Sequence, residues 1–142
     1  MDHIVYVDAK AKELDKLINS EKTAIIRGAA GRKLPYGKVD IGDMLYFINN
    51  NGEGKIKAKA AVTHVLNTEK LTKSESEQLV QANQDKLHLT EKQFSRWAGK
   101  RYLVLIEVDQ VVEVEPFKIN REDYGNMDDW LPVGSIDKVK NS

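Results

Sequence analysis

The chain has 142 residues, 41% of them hydrophobic, which suits one domain with one sizeable core and leaves no room for a second. Its 22 basic and 22 acidic residues cancel, so any electrostatic preference has to come from where the charges lie. With no cysteine, disulfides, thiol nucleophiles and thiolate metal sites are excluded, and a reducing compartment is suited. No apolar run approaches the ~20 residues that cross a bilayer, and the polar start lacks the basic-then-apolar order of a signal peptide, so no membrane is expected and cytoplasmic is the expected location. Charge is unevenly spread: Lys22, Arg27, Arg32, Lys33 and Lys38 outweigh Glu21 and Asp40, whereas acidic residues dominate from Glu107 to Asp129.

In chain order, His3 to Val7 is β-branched and aromatic, as a strand requires, and ends at Asp8, a good helix N-cap. Leu14, Leu17 and Ile18 recur at helical spacing, predicting an amphipathic helix from Ala9 to Asn19. Thr23 to Arg27 reads as a short strand stopped by Gly28-Ala29-Ala30-Gly31, and the loop from Gly28 to Lys38 gathers Arg32, Lys33, Tyr36 and Lys38 around Pro35. Met44 to Ile48 is an apolar run, suggesting a strand buried on both faces. Asn49 to Gly54 is a hairpin signal, because Asn and Gly tolerate positive φ. In the return strand, Lys55 to Val65, three lysines alternate with small or apolar residues and mark an edge or a solvated face.

Capping-box spacing at Thr72/Glu75 and Thr90/Gln93 predicts two helices, about Lys73 to Lys86 and Glu91 to Ala98. Leu103 to Val108 reads as a core strand and Val111 to Val114 as a further strand before Pro116. The stretch from Asn120 to Trp130 is polar and irregular, while Leu131-Pro132-Val133, Ile136 and Val139 restore apolar contact. The pattern predicts a single α+β domain over 1–142: a small, partly closed β-barrel with an N-terminal helix, a two-helix insertion over about 71–99 and a less regular extension over about 116–142.

Ser20-x-Lys22-x-x-Ile25-x-Arg27, followed by Ile41-Gly42-Asp43 and an apolar strand, resembles the ASCH domains, a branch of the PUA-like barrels with the signature Gly-x-Lys-x-x-Glu-x-Arg. Lys22 and Arg27 match; Ser20 stands for the glycine and Ile25 for the glutamate. The resemblance implies a barrel with a cleft beside Lys22 and Arg27, in a superfamily that mostly binds RNA or modified nucleobases. One enzymatic branch deacylates an acetylated cytidine with a lysine, a threonine three residues on and a distant glutamate. Ile25 stands at the threonine's place and can neither attack a carbonyl nor relay a proton, so that mechanism does not carry over. Other relatives are ribonucleases that rely on a basic residue here, which Lys22 leaves open.

Read on their own, the residues hold little catalytic chemistry. His3, His64 and His88 have no ligand-spaced carboxylates, so no metal or other cofactor is expected, and no phosphate-loop order occurs. Asp128-Asp129 reads as a solvated turn rather than a working carboxylate pair. What remains is basic residues interleaved with aromatics: Lys22 to Lys38, and Arg96, Trp97, Lys100, Arg101 and Tyr102. Such sets suit nucleic acid, because cations neutralise phosphates and rings stack unpaired bases. Trp97, spaced from Phe94 as on one helix face, also suits a core, and Arg27 also suits an ion pair. Trp130 suits equally a lid over a cleft or a plug in the barrel.

The leading expectation is therefore a module, non-catalytic or weakly so, that binds RNA or a nucleoside-like ligand through Lys22, Arg27, Gly28, Arg32, Lys33, Tyr36, Lys38, Trp97, Arg101 and Trp130. Tyr36 is expected to stack on a base. The alternative is a small hydrolase acting on a nucleoside or RNA, with Lys22 as base or stabiliser and Thr23 as a hydroxyl. A third reading has the acidic 107–129 region dock a protein partner.

Overall fold

The computed structural model describes residues 1–124 and 129–141. Among these residues eight strands form one curled sheet: β1 (Asp2–Val7), β2 (Ala24–Ala29), β3 (Met44–Asn49), β4 (Lys55–Asn67), β5 (Tyr102–Val108), β6 (Val112–Ile119), β7 (Trp130–Gly134) and β8 (Lys140–Asn141). The main path runs β2-β5-β4-β3-β1-β7, with β1 and β3 parallel and the other neighbours antiparallel. β4 makes the curl possible. Its first half pairs with β3 on one side and β6 on the other, and past a bulge at Val62/His64 its second half pairs with β5. The two ends of the path, β2 and β7, are not hydrogen-bonded to each other, so the barrel keeps an open seam. This is the expected α+β, partly closed barrel.

Both faces of the sheet are covered, and among the described residues the buried apolar side chains divide into three clusters rather than one core. Val5, Val7, Ile25, Phe47, Ile106 and Trp130 fill the barrel, together with Leu14 and Leu17 of α1 (Glu13–Ile18). Outside, α2 (Lys73–Ala82), α3 (Gln84–Leu87) and α4 (Glu91–Trp97) pack Val80, Leu87 and Trp97 on Ala24, Ile26, Leu103 and Leu105 of β2 and β5. Ile4, Ile48, Ile56, Leu131, Val133, Ile136 and Val139 form the third cluster. A strand buried on both faces reads as continuously apolar, which is the pattern of β3 and β5.

Several boundaries differ from expectation for local reasons. Residues 9–12 are a turn, not the start of a helix: the Asp8 carboxylate accepts from Ala11 N, Glu13 returns a carboxylate to Asp8 N, and Lys12 takes a left-handed φ of 54°. The 73–86 helix breaks at Asn83, whose side-chain amide donates to the Leu79 carbonyl at 2.8 Å. Both capping boxes form as spaced. β6 runs through Pro116 because its register on β4 shifts there, so the proline sits where the ladder asks for no donor. The lysines of β4 lie on a solvated face and not an edge, since that part of β4 has neighbours on both sides. The extension is less irregular than its composition suggests: β7 pairs with β1, and β8 with β6.

Candidate functional site at the open seam

Strand alternation decides which way the signature residues point. In β2, Ala24 and Ile26 face the helices while Ile25 faces the barrel, and Arg27 shares the face of Ile25 at the end where the seam is open. Its guanidinium crosses the gap that no backbone ladder closes. Nη1 donates to the Ile26 carbonyl at 2.8 Å and Nη2 to the Tyr6 carbonyl at 2.6 Å. Nε lies 3.2 Å from Asp129 Oδ2, close enough for an ion pair, yet it is buried with no acceptor in line. Attraction is present there without a formed hydrogen bond, since alignment and not distance alone makes one. The group sits between two indoles, 5.7 Å from the Trp130 ring and 5.8 Å from that of Trp97, while Arg96 stacks on Trp97 at 4.4 Å.

Two cavities meet at these groups. The first, about 330 Å³, is walled by Arg27, Trp97, Trp130, Tyr36 and Tyr102, with Gly28, Ala29, Gly31 and Leu34 along the loop and Lys33, Arg96 and Lys100 bringing positive charge. The second, about 480 Å³, shares Arg27, Arg96, Trp97 and Asp129 and continues past Tyr6, Asn49, Asn50, Gln93, Arg121, Asp8 and Glu13 to the tip of the β3–β4 hairpin. The first lobe is basic and aromatic; the second is amide-rich, with Asp8, Glu13 and Asp129 balanced by Arg27, Arg96 and Arg121.

Buried hydrogen bonds hold these walls. Trp130 Nε1 donates to His3 Nδ1 at 3.1 Å, and His3 Nε2 meets Asp43 Oδ2 at 2.8 Å. Because an indole nitrogen only donates, the network assigns the His3 proton to Nε2. Burial alone would raise the Asp43 carboxyl, but the hydrogen bonds it accepts from Asp40 N, His3 and the terminal amine outweigh that and hold it below its ordinary value. The Tyr36 hydroxyl donates to the Thr68 carbonyl at 2.5 Å, and its ring meets Tyr102 edge to face at 5.8 Å. Arg32 lies over both rings, 5.8 and 5.6 Å from their centroids.

Lys22 is treated differently. Its side chain is 1% exposed, with the ammonium 3.2 Å from Glu13 Oε2 and 2.5 Å from the Leu87 carbonyl, and it lines neither lobe. Burial pushes its pKa down and Arg27 adds to this, while Glu13 offsets part of the effect. Glu13 stands between Lys22 and the second lobe, with one carboxylate oxygen on Lys22 and the other on Asp8 N.

Comparison with protein-family models and with curated proteins finds no match. Comparison with solved structures does. The crystal structure of ASCH from Zymomonas mobilis superposes with a TM-score of 0.64 at 11% identity, covering 90% of this chain and 82% of that one. A serine-to-alanine mutant of that protein gives 0.65 and a tyrosine-to-phenylalanine mutant 0.64, both also at 11% identity. The chain has the ASCH fold.

Within that ASCH fold, the positions singled out from the sequence separate into groups. Arg27, Gly28, Lys33, Tyr36, Trp97 and Trp130 come together around the first lobe. Trp97 and Trp130 are also core residues, 8% and 1% exposed, so Trp130 is a wall built into the barrel and not a lid. Arg32 lies over two of the lobe's rings without lining it, and Lys38 and Arg101 are exposed and line neither lobe. Thr23 is exposed and holds its neighbours by backbone, Thr23 N to the Lys86 carbonyl and Val108 N to the Thr23 carbonyl. A cleft with Lys22 in its wall is corrected: Arg27 alone of the two signature cations reaches the lobes, since Lys22 leaves the strand entry toward α1 and α3. Ile25 is wholly buried in the barrel core. Sequence reasoning left Glu13 and Gln93 out of the site, read Asp129 as part of a solvated turn and weighed His3 only as a metal ligand. Asp129 joins the site through its ion pair and not as half of a pair with Asp128, which lies outside the described residues. In the acidic region, Glu107 pairs with Lys86 at 3.1 Å and the Asp109 side chain accepts from Ala61 N, so part of that charge is used within the fold.

Proposed function

We propose that the seam cleft binds a nucleobase-containing ligand, RNA or a modified nucleoside, as a binding module. The observation that carries this reading is the Arg27 guanidinium held between Trp97 and Trp130 at the meeting of two lobes, with Lys33, Arg96 and Lys100 around the first. The partly exposed rings of that lobe, Tyr36 and Tyr102, suit stacking on bases of any sequence, and the cations around them meet phosphate oxygens. A chain of zero net charge gains such affinity locally, from a lobe in which Arg27, Lys33, Arg96 and Lys100 outnumber Asp129. The commitment of the Lys22 ammonium to Glu13 and a carbonyl supports binding over a hydrolase built on that lysine, because a general base needs a free lone pair within reach of substrate.

Both tryptophans of the chain line the first lobe, so their emission reports ligand entry directly. Titration with a short oligouridylate at low salt is expected to quench that emission saturably, with affinity that falls as salt rises. Unchanged emission and no binding at low salt would refute the reading.

A further inference from the structure

The two lobes do not merely lie near each other. They share Arg27, Arg96, Trp97 and Asp129, and beyond this junction their chemistry diverges. At the junction one carboxylate oxygen, Asp129 Oδ2, lies 3.2 Å from Arg27 Nε and 3.9 Å from Arg96 Nη2. Arg27 is 7% exposed and its Nε is buried without an aligned acceptor, whereas the Asp129 side chain is 40% exposed and tethered by no hydrogen bond to either guanidinium. A buried N–H facing an acceptor that does not satisfy it leaves room for a better one. Two guanidinium groups converging on one oxygen form an anion seat, and the carboxylate occupies it loosely.

Resting on the binding reading above, we infer that this seat takes a phosphodiester and that the cleft holds two linked nucleotides of a single strand, one base in each lobe. Both volumes, about 330 and 480 Å³, fall in the lower half of the range for small-molecule sites, room for one nucleoside each. The lobes also set a polarity. Lys33 and Lys100 favour a further phosphate beside the first lobe, where Tyr36 and Tyr102 supply ring surface. In the second lobe Asp8 and Glu13 offset Arg121, so a phosphate gains less there than beside Lys33 and Lys100, while Asn50 and Gln93, whose oxygens accept from Ala9 N and Thr90 N, keep amide N–H donors for a base edge. A base and its sugar enter that lobe, and the phosphate stays at the junction. Asp129 swings out when the strand binds.

The test is calorimetry with adenosine, adenosine 5′-monophosphate and the dinucleotide adenylyl-adenosine at low salt. Linking two bases through a seated phosphate is expected to make the dinucleotide bind one to one and about tenfold or more tighter than the mononucleotide. Asp129→Asn, which removes the competing charge, is expected to tighten the dinucleotide about threefold or more. Gly31→Trp, at a position whose added side chain starts in open space, blocks the first lobe, and Asn50→Trp narrows the second; each is expected to bring the dinucleotide down to the mononucleotide's affinity, with unchanged circular dichroism as the check on folding. A dinucleotide no tighter than the mononucleotide, with adenosine still bound, would overturn the two-lobe inference and leave the binding reading standing. Failure of all three ligands to bind would overturn both.

Discussion

Lys22 and Arg27 enter the fold from the same short segment, both are nearly buried, and they end in opposite situations. The Lys22 ammonium has a carboxylate and a carbonyl close by and lines neither lobe. Arg27 has two carbonyls on its Nη atoms, a third donor left out of line, indoles on either side and a cavity in each direction. Burial alone therefore does not place a cation at a cavity. What distinguishes Arg27 is a donor left over at an open boundary of the sheet, where no backbone ladder competes for the space.

The largest effect that would sharpen this contrast is on stability. Lys22→Met strands the Glu13 carboxylate in the interior and is expected to cost about 3–5 kcal/mol by urea unfolding, whereas Glu13→Gln with Lys22→Met is expected to regain most of that loss. Additive losses in the double variant would show that the two groups do not act as a pair. Next comes Arg27→Met, which frees the Ile26 and Tyr6 carbonyls and is expected to cost about 2–3 kcal/mol and at least tenfold in ligand affinity. Arg27→Lys is expected to regain part of the stability and little of the affinity, since one ammonium cannot span both carbonyls and the junction. Full recovery of binding by lysine would break the comparison.

Gly28 sharpens it further. A Cβ there would stand 2.7 Å from Leu103 Cδ2, so Gly28→Ala is expected to cost about 1 kcal/mol and to tilt the wall next to Arg27, reducing affinity more than Gly31→Ala, which meets open space.

The smallest effects are in the pH dependence. With its folded pKa lowered by burial, Lys22 binds fewer protons in the folded state than in the unfolded, so stability rises with pH from that lowered value toward 10.5 and is lost as pH falls back toward it. Asp43, also lowered, contributes stability present above the ordinary carboxyl range and lost as acid protonates it in the fold. Unfolding curves across pH are expected to lose the first slope in the Glu13→Gln/Lys22→Met variant and part of the acid slope in Asp43→Asn.

Much of the scaffold was legible because it is local. The alternation in β4, the apolar run of β5 and the capping boxes at Thr72 and Thr90 each write their structure within a few residues. β7 and β8 were not legible, since Pro132 and polar neighbours hide strands whose partners, β1 and β6, lie far away in sequence. The site divides in the same way. Arg27, Tyr36, Trp97 and Trp130 stand out as cations and rings, but nothing near Lys22 announces that Glu13 will neutralise it, and nothing near Arg27 announces Asp129. The first pairing follows from the turn after α1, where Lys22 N donates to the Lys16 carbonyl, and the second from the sheet's curl, which brings the start of β7 against the end of β2 at the seam.

The central claim, that the seam around Arg27 receives the ligand, is tested most directly by the indole N–H resonances of Trp97 and Trp130 in ¹⁵N-labelled protein titrated with a short oligouridylate. The account predicts that both shift saturably with one affinity, Trp97 more than Trp130, whose N–H is held by His3. Two unmoved indoles, with shifts confined to surfaces away from the seam, would contradict it.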